Sequence, residues 1–444
     1  MEKFIITGGI PLRGEMTLSG AKNVALKVLA ASLLTNEELT IHNVPLLTDV
    51  YAMIELLETL GITSRWDGHT ITIKNSGINN TRVSLDIGAR LRTSSMVVGP
   101  LLARYGEAII PNPGGCRLGA RPIDRHMDAL KTMGAHVSYH SDDGFFYLTS
   151  RKLKGSTIHF AKNTHTGTET LILAAVLARG TTILKNAAEE VEVDGLIELL
   201  TAMGARIHHS GPREITIEGV EKLHGAEYTV MPDRNEEVTF AIAAAMTGGE
   251  VVVRKSQRAQ LHSFLDKFTE AGATYEAIDE TSTRYYCAHS PHATDITTSA
   301  HPGFMTDWQA PWAVFMTQAT GISTIHETVF ESRFSYVAEL KKMGAEISFF
   351  SPPVNDPEVF YNFNWKDRVN GQHQGIKIAG PTKLHNAILE MTDLRAGATI
   401  VLAALVAQGE SYIHGIEQVD RGYEQIDRRL KSLGANVKRT KEEV

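Results

Sequence analysis

A chain of 444 residues is longer than one typical domain, so two are expected. Its 43% hydrophobic and 21% charged residues make an ordinary globular mixture, and a formal net charge of −7 excludes a broad electrostatic nucleic-acid surface. Two cysteines, Cys116 and Cys287, exclude a disulfide framework and fit a reducing compartment. Any bound anion must therefore meet a local cluster of cations. The opening residues Met1 to Gly8 do not read as a signal peptide, and no apolar run approaches the roughly 18 residues of a membrane span. The longest such run, Val24 to Leu34, carries Lys27 and reads as a buried helix. A cytoplasmic protein without membrane or nucleic-acid partners is expected; oligomeric state is left open.

Taken in chain order, one phrase recurs. A helical stretch ends in an apolar residue, bulky in all copies but one, then Gly, then a strand: Leu60-Gly61-Ile62, Met133-Gly134-Ala135, Met203-Gly204-Ala205, Ala271-Gly272-Ala273, Met343-Gly344-Ala345 and Leu433-Gly434-Ala435. Gly in each copy suits the left-handed position after a helix C-terminus. Between the copies lies a second phrase, a helix of small apolar residues followed by a Gly turn and a strand. Leu173 to Leu184, Ala241 to Val253 and Val401 to Ile413 are examples. Small residues on nearly every face predict helices buried all round. The repeats are about 70 residues long, too long for ordinary solenoid units, so six of them predict two compact α/β domains of three units each. Met231-Pro232-Asp233-Arg234 follows the third unit. The last interval is about 20 residues longer than the others, and the turn-rich, polar stretch Ser351 to Gln374 reads as a surface insertion that chemistry can do without.

Several residues interrupt the repeats. Lys22, in Ser19-Gly20-Ala21-Lys22-Asn23, follows a Gly turn at a predicted helix start, where free N–H groups favour an anion. Cys116 lies in Gly114-Gly115-Cys116-Arg117-Leu118-Gly119-Ala120-Arg121-Pro122, a Gly-rich loop whose arginines favour the thiolate. Cys287, in Arg284-Tyr285-Tyr286-Cys287-Ala288, lies in a strand-like run and reads as structural. Arg92, Arg333, Arg395 and Arg421 follow turns, where an outward-pointing guanidinium fork suits phosphate or carboxylate. Asp307 is a lone acid in Phe304 to Gln309 and also fits a helix N-cap. Taken singly, each of these residues also fits an ordinary surface or structural role. No zinc-type Cys/His spacing, dinucleotide fingerprint, Walker loop or serine elbow is present. No metal and no cofactor are expected.

Together these phrases resemble the enolpyruvyl transferase family over essentially the whole chain, from Ser19-Gly20-Ala21-Lys22-Asn23 to Asp420-Arg421-Gly422-Tyr423-Glu424. The Cys116 loop is the most specific piece; Asn186-Ala187-Ala188-Glu189-Glu190 and Thr392-Asp393-Leu394-Arg395 support it. The resemblance implies two inside-out α/β barrel-like domains, each of three βαβαββ-type units. One would span residues 22–231; the other would combine 1–21 with 232–444 and carry the 351–374 insertion, with the active site in the cleft. It also implies transfer of the enolpyruvyl group of phosphoenolpyruvate, a substrate and not a cofactor, onto the 3-hydroxyl of UDP-N-acetylglucosamine for peptidoglycan synthesis.

By resemblance, Cys116 would donate a proton and Asp307 would serve as base, with Lys22 and Arg395 also catalytic. Phosphoenolpyruvate would be held by Lys22, Asn23, Arg121, Arg333, Arg395 and Arg421. The nucleotide sugar would meet Arg92, Arg121, Pro122, Ile123, Asp124 and Arg125 on one stretch, and Asn163, His165, Thr166 and Gly167 on another. Asp307 and Val329 would complete that set. The family usually shows Ser-Val-Gly-Ala-Thr in the turn facing the diphosphate, whereas here the turn reads His165-Thr166-Gly167-Thr168-Glu169, and Arg125 replaces a common aliphatic residue. Those departures keep two alternatives open: another UDP-sugar or nucleoside as acceptor, and a non-catalytic binding paralogue.

Overall fold

The computed structural model describes residues 2–113, 123–368 and 371–441. They form two compact units, one joining Met1–Ser19 to Pro232–Val444 and the other running from Gly20 to Met231 apart from the undescribed segment. Each has its own apolar core.

One sheet plan recurs in both units. In the Gly20–Met231 unit, Thr157–His159 pairs parallel with Thr181–Lys185, which pairs antiparallel with Glu214–Glu218, and that strand with Arg206–Gly211. Ala226–Thr229, Leu39–His42, Thr70–Asn75 and Ile62–Asp67 repeat the order. A third sheet has three strands, and an isolated parallel bridge from Arg82 to Ile109 stands beside it where the other sheets carry a fourth. The other unit has three four-stranded sheets, one of which takes the N-terminal strand Glu2–Thr7 between Glu410–His414 and Asn436–Lys441. All six glycines of the recurring phrase have positive φ, from 86° at Gly272 to 111° at Gly61. The helix therefore stops and the strand starts at the same step of every unit.

The sheets surround helices that are buried on every face. In Arg234–Met246 every residue is buried: the polar first turn, Arg234 to Glu237, is hydrogen-bonded within the fold, and mostly small or apolar residues follow it. Thr306–Thr317 packs on that helix and on Leu394–Val406. In the other unit Val98–Tyr105 packs on His165–Ala175. A fully buried helix presents polar groups only at its ends, and these helices begin with the polar residues singled out above. Lys22 opens Lys22–Ala30, His165 opens His165–Ala175, and Asp307 and Arg395 are second in theirs.

The Ser351 to Gln374 stretch is more ordered than its polar composition predicts. Asp356 caps a short helix, Pro357–Phe360, and Tyr361 and Phe363 are buried. Among the described residues, no helix is long and apolar enough to cross a membrane, and no group of His, Cys, Asp and Glu is arranged to hold a metal ion.

Candidate active site

Lys22 is placed by a close backbone approach. A Cβ at Gly20 would lie 1.8 Å from the Asn43 carbonyl oxygen, so only glycine admits the turn that starts the helix. The Lys22 ammonium then meets Asp49 Oδ2 at 2.6 Å, with both side chains largely buried. Asp49 comes from the helix Thr48–Leu60 and was not legible as a partner. Asn23 is the next residue of the Lys22 helix.

The turn that departs from the family pattern is built around a buried carboxylate. Glu169 is 0% exposed and takes the Lys27 ammonium at 3.1 Å and His165 Nε2 at 3.0 Å on the same oxygen. Thr164 caps the helix, its hydroxyl accepting from the Gly167 N–H at 3.2 Å, and Thr166 Oγ1 lies 3.1 Å from His126 Nε2. Asn163 donates to the carbonyls of Asn186 and Ala187. Burial alone would depress the His165 pKa, but the Glu169 carboxylate, aided by Glu190, outweighs both burial and the repulsion of Lys27, so the net shift is upward. Ile123 precedes the helix Asp124–Thr132, which Asp124 and Arg125 begin, and Arg92 opens the short 3-10 helix Arg92–Val97.

In the other unit, Asp307 lies in the first turn of its helix and is not its cap, a position held by Met305 without a side-chain bond. Its carboxylate accepts from Arg333 Nη2 at 2.6 Å. Arg333 was expected to point outward; it is instead buried, its side chain 3% exposed, because Asp307 supplies the opposite charge and the Phe330 ring lies 5.4 Å from the guanidinium. Pro311, four residues on, has no N–H to give the Asp307 carbonyl, an interior-helix irregularity at the residue of interest.

Beside this pair stands Glu327, another buried acid that sequence reading missed. It accepts from the Val329 N–H at 2.7 Å, the Phe330 N–H at 3.0 Å and the Thr306 hydroxyl at 2.8 Å. Burial pushes its carboxyl pKa up, against the lowering effects of Arg333 and those hydrogen bonds. One carboxylate thus ties Val329 to the residue before Asp307. Asp393 does similar work for Arg395: Oδ1 accepts from the Ala396 N–H at 3.0 Å and Oδ2 from the Ser335 hydroxyl at 2.8 Å. Arg421 ends the 3-10 helix Ile416–Arg421 and donates to Gln418 Oε1 at 3.3 Å.

Cys116, Arg121 and Pro122 lie outside the described residues. Cys287 directly follows the strand Ser282–Tyr286; its thiol donates to the His289 carbonyl at 3.0 Å, and burial raises its pKa. It has the surroundings of a structural thiol.

Residues 6–430 match the sequence profile of the family described as EPSP synthase (3-phosphoshikimate 1-carboxyvinyltransferase). The chain is 43% identical over 440 residues to the UDP-N-acetylglucosamine 1-carboxyvinyltransferase of Magnetococcus marinus, covering 99% of each. It is 42% identical over 445 residues to the protein of that name from Desulfatibacillum aliphaticivorans, covering 99% of this chain and 100% of the relative. Among solved structures, the enolpyruvyl transferase NikO from Streptomyces tendae matches with a TM-score of 0.85 at 23% identity over 99% of both chains. EPSP synthase from Acinetobacter baumannii matches at 0.72 and 19% identity, over 99% of this chain and 100% of that one. At those identities the two structures speak to the fold.

Proposed function

The chain belongs to the EPSP synthase family of enolpyruvyl (carboxyvinyl) transferases, and from that membership we propose that it transfers the enolpyruvyl group of phosphoenolpyruvate to the 3-hydroxyl of UDP-N-acetylglucosamine and releases phosphate. The observation that carries this reading is the full-length likeness to relatives bearing the name UDP-N-acetylglucosamine 1-carboxyvinyltransferase. A cytoplasmic role at the start of peptidoglycan precursor synthesis goes with it.

The chemistry is addition followed by elimination. The sugar oxygen bonds to C2 of phosphoenolpyruvate while C3 gains a proton. The tetrahedral adduct then loses phosphate and a C3 proton, leaving the enol ether. On this reading Asp307 takes the hydroxyl proton and Cys116 serves C3 as proton donor. The substrate carries phosphate and carboxylate throughout, so fixed cations stabilise it with little reorganisation. Lys22, Arg121 and Arg421 are assigned to the phosphate, Arg333 and Arg395 to the carboxylate, and Asn23 to the same substrate. Two of those cations are already paired with acids, Lys22 with the buried Asp49 and Arg333 with the partly exposed Asp307. For the nucleotide sugar the assigned residues are Arg92, Arg121 to Arg125, Asn163, the His165-Thr166-Gly167 turn, Asp307 and Val329.

Phosphate release should be followed with phosphoenolpyruvate and, in parallel, UDP-N-acetylglucosamine, other UDP-sugars and 3-phosphoshikimate. Turnover is expected with UDP-N-acetylglucosamine, with the enol ether identified by mass. Turnover with another acceptor and none with UDP-N-acetylglucosamine would overturn the assignment.

A further inference from the structure

Residues 351–374 separate two strands of one hairpin, Glu346–Phe350 and Gly375–Gly380, and contain none of the residues matched to the family. Residues 356–368 nevertheless form a small packed body. The Tyr361 ring stacks on Trp365 at 4.7 Å between centroids and 9° between planes, and on Phe363 at 5.1 Å. The Arg368 guanidinium lies 4.0 Å from the Trp365 ring centre. Four aromatic residues within six positions thus pack on one another, which a solvated loop has no reason to do.

This body grips the loop that follows the strand Gly321–His326. The Asn362 N–H donates to the Thr328 carbonyl at 2.8 Å, and the Gln374 carbonyl accepts the Glu327 N–H at 2.8 Å. Gln374 Nε2 donates to the Glu331 carbonyl at 3.4 Å. Tyr361 OH bonds His326 Nε2 at 3.0 Å, and Phe360 stacks on the His326 ring at 5.4 Å. Burial lowers the His326 pKa, so its neutral ring can accept from the phenol. The segment therefore satisfies backbone groups on both sides of Val329 and Phe330, where the chain has left the sheet and has no ladder partner. The same loop is held from its other side by Glu327, which also fixes Thr306 beside Asp307.

We infer that the 351–374 segment is a brace that sets the position of Val329 and of the Glu327–Thr306 link, and so governs how the acceptor sugar is held. This rests on the proposed UDP-sugar transfer, and it reverses the expectation that chemistry can do without the insertion. The brace acts through the loop and touches no reacting atom. Its loss acts on acceptor binding far more than on phosphoenolpyruvate.

Two variants test it: the whole segment replaced by an Asn-Gly turn joining the two strands, and Tyr361→Phe, which keeps the ring stack and removes only the hydroxyl. The turn replacement is expected to raise KM for UDP-N-acetylglucosamine by roughly 10-fold with KM for phosphoenolpyruvate within about twofold, as a displaced contact would. Tyr361→Phe is expected to raise the acceptor KM by about threefold, the scale of one hydrogen bond. Hydrogen exchange should quicken at the Val329 and Phe330 amides in both variants, a readout that does not depend on the acceptor. Unchanged exchange and unchanged acceptor KM in Tyr361→Phe would overturn the brace. So would an equal rise in both KM values for the turn variant. A parent protein inactive on UDP-N-acetylglucosamine overturns the acceptor assignment instead, and the exchange result still decides the brace.

Discussion

Glu169, inside the helix His165–Ala175, and Glu327, at the start of the loop after the strand Gly321–His326, are both buried acids, one in each unit, yet they are stabilised in different ways. Glu169 sits between the Lys27 ammonium and the His165 imidazole. Glu327 is held by two backbone N–H groups and a hydroxyl, with Arg333 as a further electrostatic partner. Charges neutralise a buried acid without fixing its direction closely. Hydrogen-bond donors fix direction, because each has its own angle. The first arrangement is therefore expected to govern stability and its pH dependence, the second to govern geometry.

The largest effect should come from removing a charge partner. Lys27→Met leaves Glu169 with only the imidazole, and breaking a buried pair this way typically destabilises by about 3–5 kcal/mol. Chemical denaturation of the variant measures it. The double variant Lys27→Met with Glu169→Gln should recover most of the loss, since no uncompensated charge remains. A single variant within about 1 kcal/mol of the parent would mean that Glu169 is not carrying a charge matched by Lys27.

Next in size is the geometric corner. Asp307→Asn keeps the shape and removes the base, so turnover should fall by roughly 10²-fold. Arg333 loses one partner but keeps Glu327, so the melting temperature should drop only modestly, by about 2–4 °C if 1 kcal/mol is lost. Kinetics and calorimetry on one preparation separate the two effects. Near-parental turnover would remove Asp307 from the mechanism. Glu327→Gln is the finer probe. An amide offers fewer acceptor sites than a carboxylate, so one of the three donors loses its partner. The acceptor KM should rise by about fivefold for that one bond, while KM for phosphoenolpyruvate stays put.

These corners also mark how far the sequence could be read. The six glycine turns, the buried small-residue helices and the place of Lys22 at a helix start all follow from local patterns, and local patterns survive in one dimension. Partners do not. Asp49, Glu169 and Glu327 meet their counterparts across the fold, and only Lys27 inside the apolar run Val24 to Leu34 hinted that an opposite charge had to be buried nearby. An arginine after a turn reads as an outward fork, and nothing in the sequence around Arg333 reveals that Asp307 pairs with it and lets it be buried. The insertion misled in the same way. Phe360, Tyr361, Phe363 and Trp365 follow neither the helical nor the strand period, so no element was predicted, although a single turn of helix is enough to stack them.

The smallest effect is the one that most cleanly tests the charge-paired corner. The folded-state pKa of His165 is raised above its ordinary value of 6.5. A raised histidine binds its proton more tightly when folded, so its contribution to stability is fully present below the unfolded pKa. It fades as pH rises through the folded one. Replacing it, as in His165→Gln, should therefore lower the melting temperature relative to the parent at pH 6. The gap should close as pH rises further, once the parent imidazole is also neutral. Taking parent minus variant at each pH removes every other titrating group from the comparison. The effect should be smaller than that of Lys27→Met, because the imidazole is partly exposed while Lys27 is not. In the Glu169→Gln background the pH dependence should vanish, since the carboxylate that holds the proton is gone. A gap that widens with pH would mean that His165 is neutral in the fold and that Glu169 relies on Lys27 alone.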